Sequence, residues 1–300
     1  MTTISDIEKV LAKGAYEYLV IQYPEKNKSI DIVASKNGNS SRSFILKVSE
    51  KHSYQSKIVK DLKKMATLSG AVPILIDDQM DEEVINDRDK VLVMSTSTFE
   101  KVARGEKIFL LKTRGGIFVK INSKELRKRR EEKGMSLGEV AERLGVSRIS
   151  IYDYEKEDSY VSIDVAEKLI DLFGEEILGD VISDFKIEDK EFENEIENYK
   201  GIMSVIAKKL SSNGYKIVKF NYTTVDLAAT RDDKKFFFCL EADDVSTSLK
   251  KFNEANKLVS KVNGVLVIIA KTSKNQKTYE KESFIVYTPD DIDKIEDEIN

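Results

Sequence analysis

The chain carries one cysteine, one histidine, three prolines and no tryptophan in 300 residues, and each scarcity removes a class of function. A lone Cys239 cannot close an internal disulfide, and with His52 as the only imidazole there is no Cys/His set for a zinc finger. That usage fits a reducing compartment, so the expected location is cytoplasmic. Long apolar runs are missing as well. The longest, such as Gly264 to Ala270, fall far short of the roughly 20 residues that a membrane-spanning helix needs. The start, Met1 to Lys9, carries acids instead of the basic-then-apolar order of a secretory leader. No membrane partner is expected. A dominant charge sign is also absent: 49 Lys and Arg stand against 53 Asp and Glu, for a net charge of -4. Any footprint for a polyanion must therefore be local. Scarce proline beside abundant Lys, Glu and Ile is compatible with adaptation to heat, where ion-pair networks matter more.

What is present is 41% apolar residues, enough for more than one core. The pattern divides into an α/β segment 1–122, a helical segment 123–183, an acidic linker or helix 184–197, and a second α/β segment 198–300. In the first, an amphipathic opening (Ile4, Ile7, Val10, Leu11) leads to strand-like runs at Tyr18 to Tyr23, Ser29 to Ser35 and Ser43 to Val48. The polar Lys36-Asn37-Gly38-Asn39 should turn the last two into a hairpin. A helix over Ser53 to Ser69, strands Val72 to Ile76 and Val91 to Met94, and a helix capped within Ser95 to Thr98 follow. A second hairpin is expected from Ile108 to Ile121, around Thr113-Arg114-Gly115-Gly116. It reads either as a plain closure of the first domain or as a basic wing.

The last segment repeats this order. A helix at Ile202 to Leu210 precedes strands at Lys216 to Phe220, Thr224 to Thr230 and Lys235 to Glu241, a helix near Ser248 to Val262, and strands Gly264 to Ala270 and Ser283 to Tyr287. Asp31-Ile32-Val33-Ala34-Ser35-Lys36 is answered by Asp226-Leu227-Ala228-Ala229-Thr230-Arg231, and Phe44-Ile45-Leu46-Lys47 by Phe238-Cys239-Leu240-Glu241. Duplication of one α/β domain around a central insert accounts for this.

The central segment is punctuated like a bundle of short helices. Ser123, Ser136, Ser147 and Ser162 each stand where an N-cap belongs, with Glu139 completing a capping box on Ser136. The first helix should run from Lys124 to Lys133 and end at Gly134. Gly145 supplies the left-handed turn. The run Met135-Ser136-Leu137-Gly138-Glu139-Val140-Ala141-Glu142-Arg143-Leu144-Gly145-Val146-Ser147-Arg148-Ile149-Ser150-Ile151-Tyr152-Asp153-Tyr154-Glu155 closely resembles the Cro/phage-repressor (XRE) type of helix-turn-helix. That resemblance implies a recognition helix in the major groove of double-stranded DNA. Ser136, Ser147, Arg148, Ser150 and Tyr152 would then be the side chains nearest bases and phosphates. The basic Lys124, Arg127, Lys128, Arg129 and Arg130 suit phosphate contact. Two features depart from the pattern. Leu137 replaces a usual glutamine, and Asp153, Glu155, Glu157 and Asp158 make the third helix and its exit acidic, a repulsion that should weaken affinity for DNA.

The flanking segments resemble the PD-(D/E)XK nuclease core, most nearly archaeal Holliday-junction resolvases. That family gathers an Asp, and the Glu and Lys of an E-x-K, around magnesium. Residue by residue, Asp31 and Lys47 match, Gln55 sits where a polar helix residue is common, and Glu8 is a candidate first-helix acid. Ile45, however, occupies the Glu position. In the last segment Asp226 matches, Cys239 takes the Glu place and Glu241 the Lys place. Under the nuclease reading, Glu8 or Glu50 is the candidate for a migrated carboxylate, and His52, lacking a paired nucleophile, receives no role.

The expected fold class is thus α+β multidomain, with an all-α helix-turn-helix domain between two duplicated α/β restriction-endonuclease-like domains. The expected function is sequence-selective DNA binding by a transcriptional regulator, without enzymatic activity or cofactor and as a homodimer. The flanking domains would serve dimerisation or extra DNA contact. The competing reading is a metal-dependent nuclease for branched DNA, through Asp31, Lys47, Glu8 and Gln55.

Overall fold

A computed structural model describes residues 2–36, 42–49, 55–156, 159–183, 185, 199–291 and 295. The turn at Asn37 to Asn39, Glu50, His52, Glu157, Asp158 and nearly all of the acidic stretch 184–197 lie outside the described residues. Contacts gather the chain into two compact units. One comprises Met1–Tyr16, Val48–His52 and Ile74–Ile187; the other comprises Glu17–Lys47, Ser53–Pro73 and Glu188–Asn300. Among the described residues no helix is long and apolar enough to cross a membrane.

The first unit opens with α1 (Ile4–Lys13), held by a capping box between Thr3 and Asp6 and burying Ile7, Val10 and Leu11. Its strands are β4 (Val72–Ile76), β5 (Val84–Arg88), β6 (Val91–Met94), β7 (Leu110–Thr113), β8 (Gly116–Lys120) and β9 (Tyr160–Ser162). They form a ladder in the order β4-β6-β5-β7-β8-β9. β5 and β9 are additions to the sequence reading. β5 turns into β6 through Asp89 and Lys90, both at positive φ, the two-residue geometry that matches strand twist. Between β6 and β7 lies α3 (Thr96–Arg104), capped by the Ser95 hydroxyl. The β7–β8 hairpin forms as expected, with Leu110 opposite Val119 and Arg114-Gly115 at its tip. β8 also pairs with β9, Phe118 opposite Ser162.

That last pairing joins the hairpin to the helical region, which holds α4 (Ser123–Glu132), α5 (Leu137–Leu144), α6 (Arg148–Tyr154) and α7 (Ile163–Phe173). One apolar cluster contains Val119, Ile121 and Val161 together with Leu126, Val140, Ala141, Leu144, Ile151, Ala166, Leu169 and Phe173. The helices thus pack on the hairpin, and residues on both sides of position 123 build one core.

The second unit holds two meanders of the same design. β1 (Glu17–Val20), β2 (Ile32–Ser35) and β3 (Phe44–Val48) run antiparallel and lead to α2 (Ser56–Ser69). After α8 (Ile202–Ser212), β10 (Lys216–Lys219), β11 (Leu227–Arg231) and β12 (Lys234–Leu240) do the same and lead to α9 (Val245–Lys261). β13 (Val265–Ile269) and β14 (Ile285–Tyr287) extend this sheet in parallel, with α10 (Ser273–Glu280), unseen in the sequence, between them. Tyr215, Ile217, Leu227, Ala229, Phe238, Val267 and Ile269 bury one face against Met203, Ile206 and Leu210 of α8.

The meanders hold each other by reciprocal contacts. Asp61 of α2 accepts the backbone N–H groups of Asn221 (2.9 Å) and Tyr222 (2.7 Å), just after β10. Glu254 of α9 accepts the backbone N–H of Gln22 (2.6 Å), just after β1. Lys64 Nζ adds a bond to the Lys219 carbonyl at 2.9 Å, and the Ser29 N–H one to the Tyr222 carbonyl at 2.8 Å.

Candidate nucleic-acid interface

The helix-turn-helix is set by local chemistry. Ser136 caps α5 by accepting the Glu139 N–H at 3.2 Å, and Glu139 returns a bond from the Ser136 N–H at 2.7 Å, the capping box expected from the sequence. Gly145 ends α5 in the left-handed region, at φ 74° and ψ 34°, a conformation that is strained for a residue bearing a Cβ. Ser147 then caps α6, accepting the Ser150 N–H at 3.0 Å, with the two hydroxyls 2.9 Å apart. Ser162 caps α7. The first cap differs from expectation: Asn122, not Ser123, accepts the Glu125 N–H at 3.2 Å, and α4 ends at Glu132. Ser123 is already inside the first turn and buried, and its hydroxyl finds no hydrogen-bond partner among the described residues. Leu137, in the glutamine place, packs against the core.

On α6, Ile151 is fully buried while Arg148, Ile149, Tyr152 and Asp153 are exposed. Side chains three and four apart share a helix face, so these four form one outward surface. Among the described residues Arg148 has no carboxylate partner. Asp153 is answered by Lys156 at 3.2 Å, and that ammonium also lies 4.6 Å from the Tyr152 ring centroid. The acidity of the helix is thereby partly cancelled.

The α4 cations do not form an open basic face. Arg127 pairs with Glu131 (2.9 Å), Lys128 with Glu125 (3.4 Å), and Arg129 with both Glu125 (3.0 Å) and Glu176 (3.3 Å). The Arg129 guanidinium, with help from Lys128, holds the Glu125 carboxyl below its ordinary range. Arg127 and Lys128 are exposed while Arg129 and Glu125 are partly buried, and surface pairs of this kind contribute little to stability. Lys124 is exposed and pairs with no carboxylate among the described residues. Arg130 is different. Its guanidinium forks onto Glu155, Nε at 2.5 Å and Nη2 at 2.9 Å, and also donates to the Met135 carbonyl at 3.0 Å. Both side chains are largely buried, 12% and 7% exposed, so Arg130 locks the end of α4 to the end of α6. Glu155, read from sequence as a repulsive acid, is a structural partner.

The nuclease-like constellation is only partly assembled. Asp31 is buried and meets Lys28 on one oxygen (3.2 Å) and Lys47 on the other (3.0 Å). Ile45 shares the face of Asp31 and Lys47 and is fully buried. One carboxylate whose two oxygens already face ammonium groups is a poor fit to a hard divalent cation, which takes several anionic oxygens. Gln55 precedes α2 without a capping bond and contacts Asn27 at 3.5 Å. Glu8 lies on α1, in the first unit. Among the described residues no three His, Cys, Asp or Glu side chains gather as a metal site.

In the second meander the ladders correct the sequence alignment by two residues. Asp226 donates its N–H to the Phe238 carbonyl as Asp31 does to that of Leu46, and Glu241 donates to Ile269 as Ser49 does to Ile76. Cys239 therefore stands at the position of Lys47, and Phe237 at that of Ile45. Burial pushes the Cys239 thiol far up. The counter-charge to Asp226 comes instead from Lys251 of α9, at 2.6 Å, a residue that strand patterns could not reveal. Glu241 is occupied by the Lys271 N–H and by the Asn275 and Tyr279 side chains.

Comparison with known proteins agrees with both halves of this picture. Residues 1–108 match the family model of a PD-(D/E)XK superfamily domain, and residues 126–178 match that of a helix-turn-helix. A protein of Sulfolobus acidocaldarius is 50% identical over 99% of each chain, and one of Sulfurisphaera tokodaii is 52% identical over 97% of this chain and 98% of its own. A Saccharolobus islandicus protein is 41% identical over 99% of this chain and 96% of its own. All three are named "Putative HTH-type transcriptional regulatory protein". No solved structure matches the chain.

Proposed function

The chain belongs to the same family as these HTH-type transcriptional regulatory proteins, and on that premise we propose that it is a sequence-selective DNA-binding regulator in which α6 reads the major groove. The observation that carries this reading is the outward face of α6, where Arg148 is exposed and, among the described residues, has no carboxylate partner. A free guanidinium on that face suits the paired hydrogen bonds to guanine O6 and N7, worth about 1–3 kcal/mol of discrimination. Lys124, with Arg127, Lys128 and Arg129 released from their surface pairs, would meet phosphates. Arg130 braces the reader.

The test is a titration of duplexes selected from a random library. Affinity for the selected duplex should fall steeply with salt. Arg148→Ala should lower it by roughly 10- to 100-fold, with little change in the non-specific background. Equal affinity in the variant would remove α6 as the reader. One such helix spans few base pairs, so two-fold pairing of chains is the economical way to lengthen the site. Two half-sites in the selected sequences would support a homodimer.

The flanking α/β segments are read as non-catalytic duplicates of one nuclease-like domain, supported by the matching meanders and by the reciprocal bonds that Asp61 and Glu254 accept from the opposite meander. The retained pair of Asp31 and Lys47 favours the competing nuclease. Incubating junction and plasmid DNA with magnesium or manganese separates the two. The expected result is intact DNA; cleavage abolished by Asp31→Ala would establish the enzyme.

A further inference from the structure

The most exposed large apolar side chain among the described residues is Ile149, at 72%, ahead of Tyr152 at 54%. It sits on α6 immediately after Arg148, on the surface opposite the buried Ile151. Solvated helix faces are ordinarily polar, and nothing in the packing of this helix calls for a branched aliphatic there. The residues that flank it at the helix start are already satisfied. Ser147 and Ser150 bond to each other through backbone and hydroxyl, which leaves Arg148, Ile149 and Tyr152 as the side chains available to a ligand.

We infer that Ile149 is a specificity-determining residue that packs against the C5 methyl group of a thymine in the bound DNA. This rests on the reading of α6 as the groove-entering helix. The chemistry narrows the occupant: in the major groove each base edge offers hydrogen-bonding groups, and the thymine methyl is the apolar group that an aliphatic side chain can cover. Arg148 and Ile149 are adjacent in sequence, so the recognised site combines a guanine with a nearby thymine. Ile149 therefore adds a preference that polar readout alone would not give.

Uracil in place of thymine tests this, because it removes the methyl and leaves every hydrogen-bonding group in place. Using the full chain and the duplex recovered from a random library, each thymine is replaced singly by uracil. Wild-type protein should lose affinity by about fourfold at one position of the half-site, the value of one buried methyl group. Ile149→Ala should bind the thymine and uracil duplexes equally at that position while keeping its sensitivity to replacement of the guanine. Because Ile149 is exposed, this variant should melt with the wild type. If wild-type protein binds all thymine and uracil duplexes alike while Arg148→Ala still loses affinity, the role of Ile149 is refuted and the reading of α6 survives. If no duplex is retained by wild type even at low salt, both fall together.

Discussion

Replacing Arg130 with alanine is expected to lower the stability of the helix-turn-helix by about 2–4 kcal/mol and to abolish specific DNA binding at temperatures where the wild type still binds. The substitution leaves the Glu155 carboxylate, 7% exposed, without its two guanidinium bonds, and frees the Met135 carbonyl from a third. A carboxylate stranded in such a place costs more than the intact pair contributes, because its desolvation is no longer offset. The end of α6 then loses its tie to α4. Lysine at 130 offers a single ammonium in place of the planar fork, so Arg130→Lys should recover only part of the loss. Thermal unfolding and titration with the selected duplex, done on both variants, check this. A wild-type melting temperature for Arg130→Ala would show that the pair is ornamental.

The second large effect is expected at Asp61. Its carboxylate serves the N–H groups of Asn221 and Tyr222, the Asn221 amide and the Ser29 hydroxyl. Alanine would leave the donors that water cannot reach unsatisfied, at about 1–3 kcal/mol each, and the loss should be about 2–4 kcal/mol in all. Asparagine is a gentler change. Its carbonyl oxygen can take the place of Oδ2 towards the two backbone donors, and a turned Asn221 amide can face its nitrogen. Burial pushes the Asp61 carboxyl above its ordinary value of 3.8, against the pull of the N–H donors. With the folded value above the unfolded one, the contribution of this group is fully present below pH 3.8 and is lost as pH rises through the folded value. Relative to Asp61→Asn, the wild type should therefore lose ground as pH climbs through that interval. Melting curves of both variants at acidic and neutral pH decide it, and Asp61→Ala melting with the wild type at every pH would sink the argument.

What the sequence could announce was local. The caps at Ser136, Ser147 and Ser162 and the turn at Gly145 depend on residues within a few positions of one another, and each formed as read. The elements that escaped lack such signals. β5 ends in Asn86-Asp87-Arg88 and turns through Asp89 and Lys90 at positive φ without a glycine. β9 is three residues long, and α10, Ser-Lys-Asn-Gln-Lys-Thr-Tyr-Glu, has almost no apolar stripe. The register of the second meander failed for a different reason. A slip of two residues preserves which side chains face inward, so apolar alternation could not tell Cys239 from Glu241 as the partner of Asp226. On α6, the motif made the outward placement of Arg148 and Tyr152 legible, and both are exposed; their contact with DNA is the proposal. The Arg130 and Glu155 pair spans 25 positions, and only packing reveals that two residues read as DNA contact and repulsive acid neutralise each other.

The reciprocal bonds that α2 and α9 make to the other meander have a further consequence, since Asp61 and Glu254 belong to a single polypeptide. An association made within one chain proceeds at an effective concentration set by the connecting segment, in the millimolar range for short flexible connections. Dilution therefore leaves that seam closed. The seam itself should then open in a unimolecular step, and the melting midpoint of this unit should move with protein concentration only through pairing of whole chains.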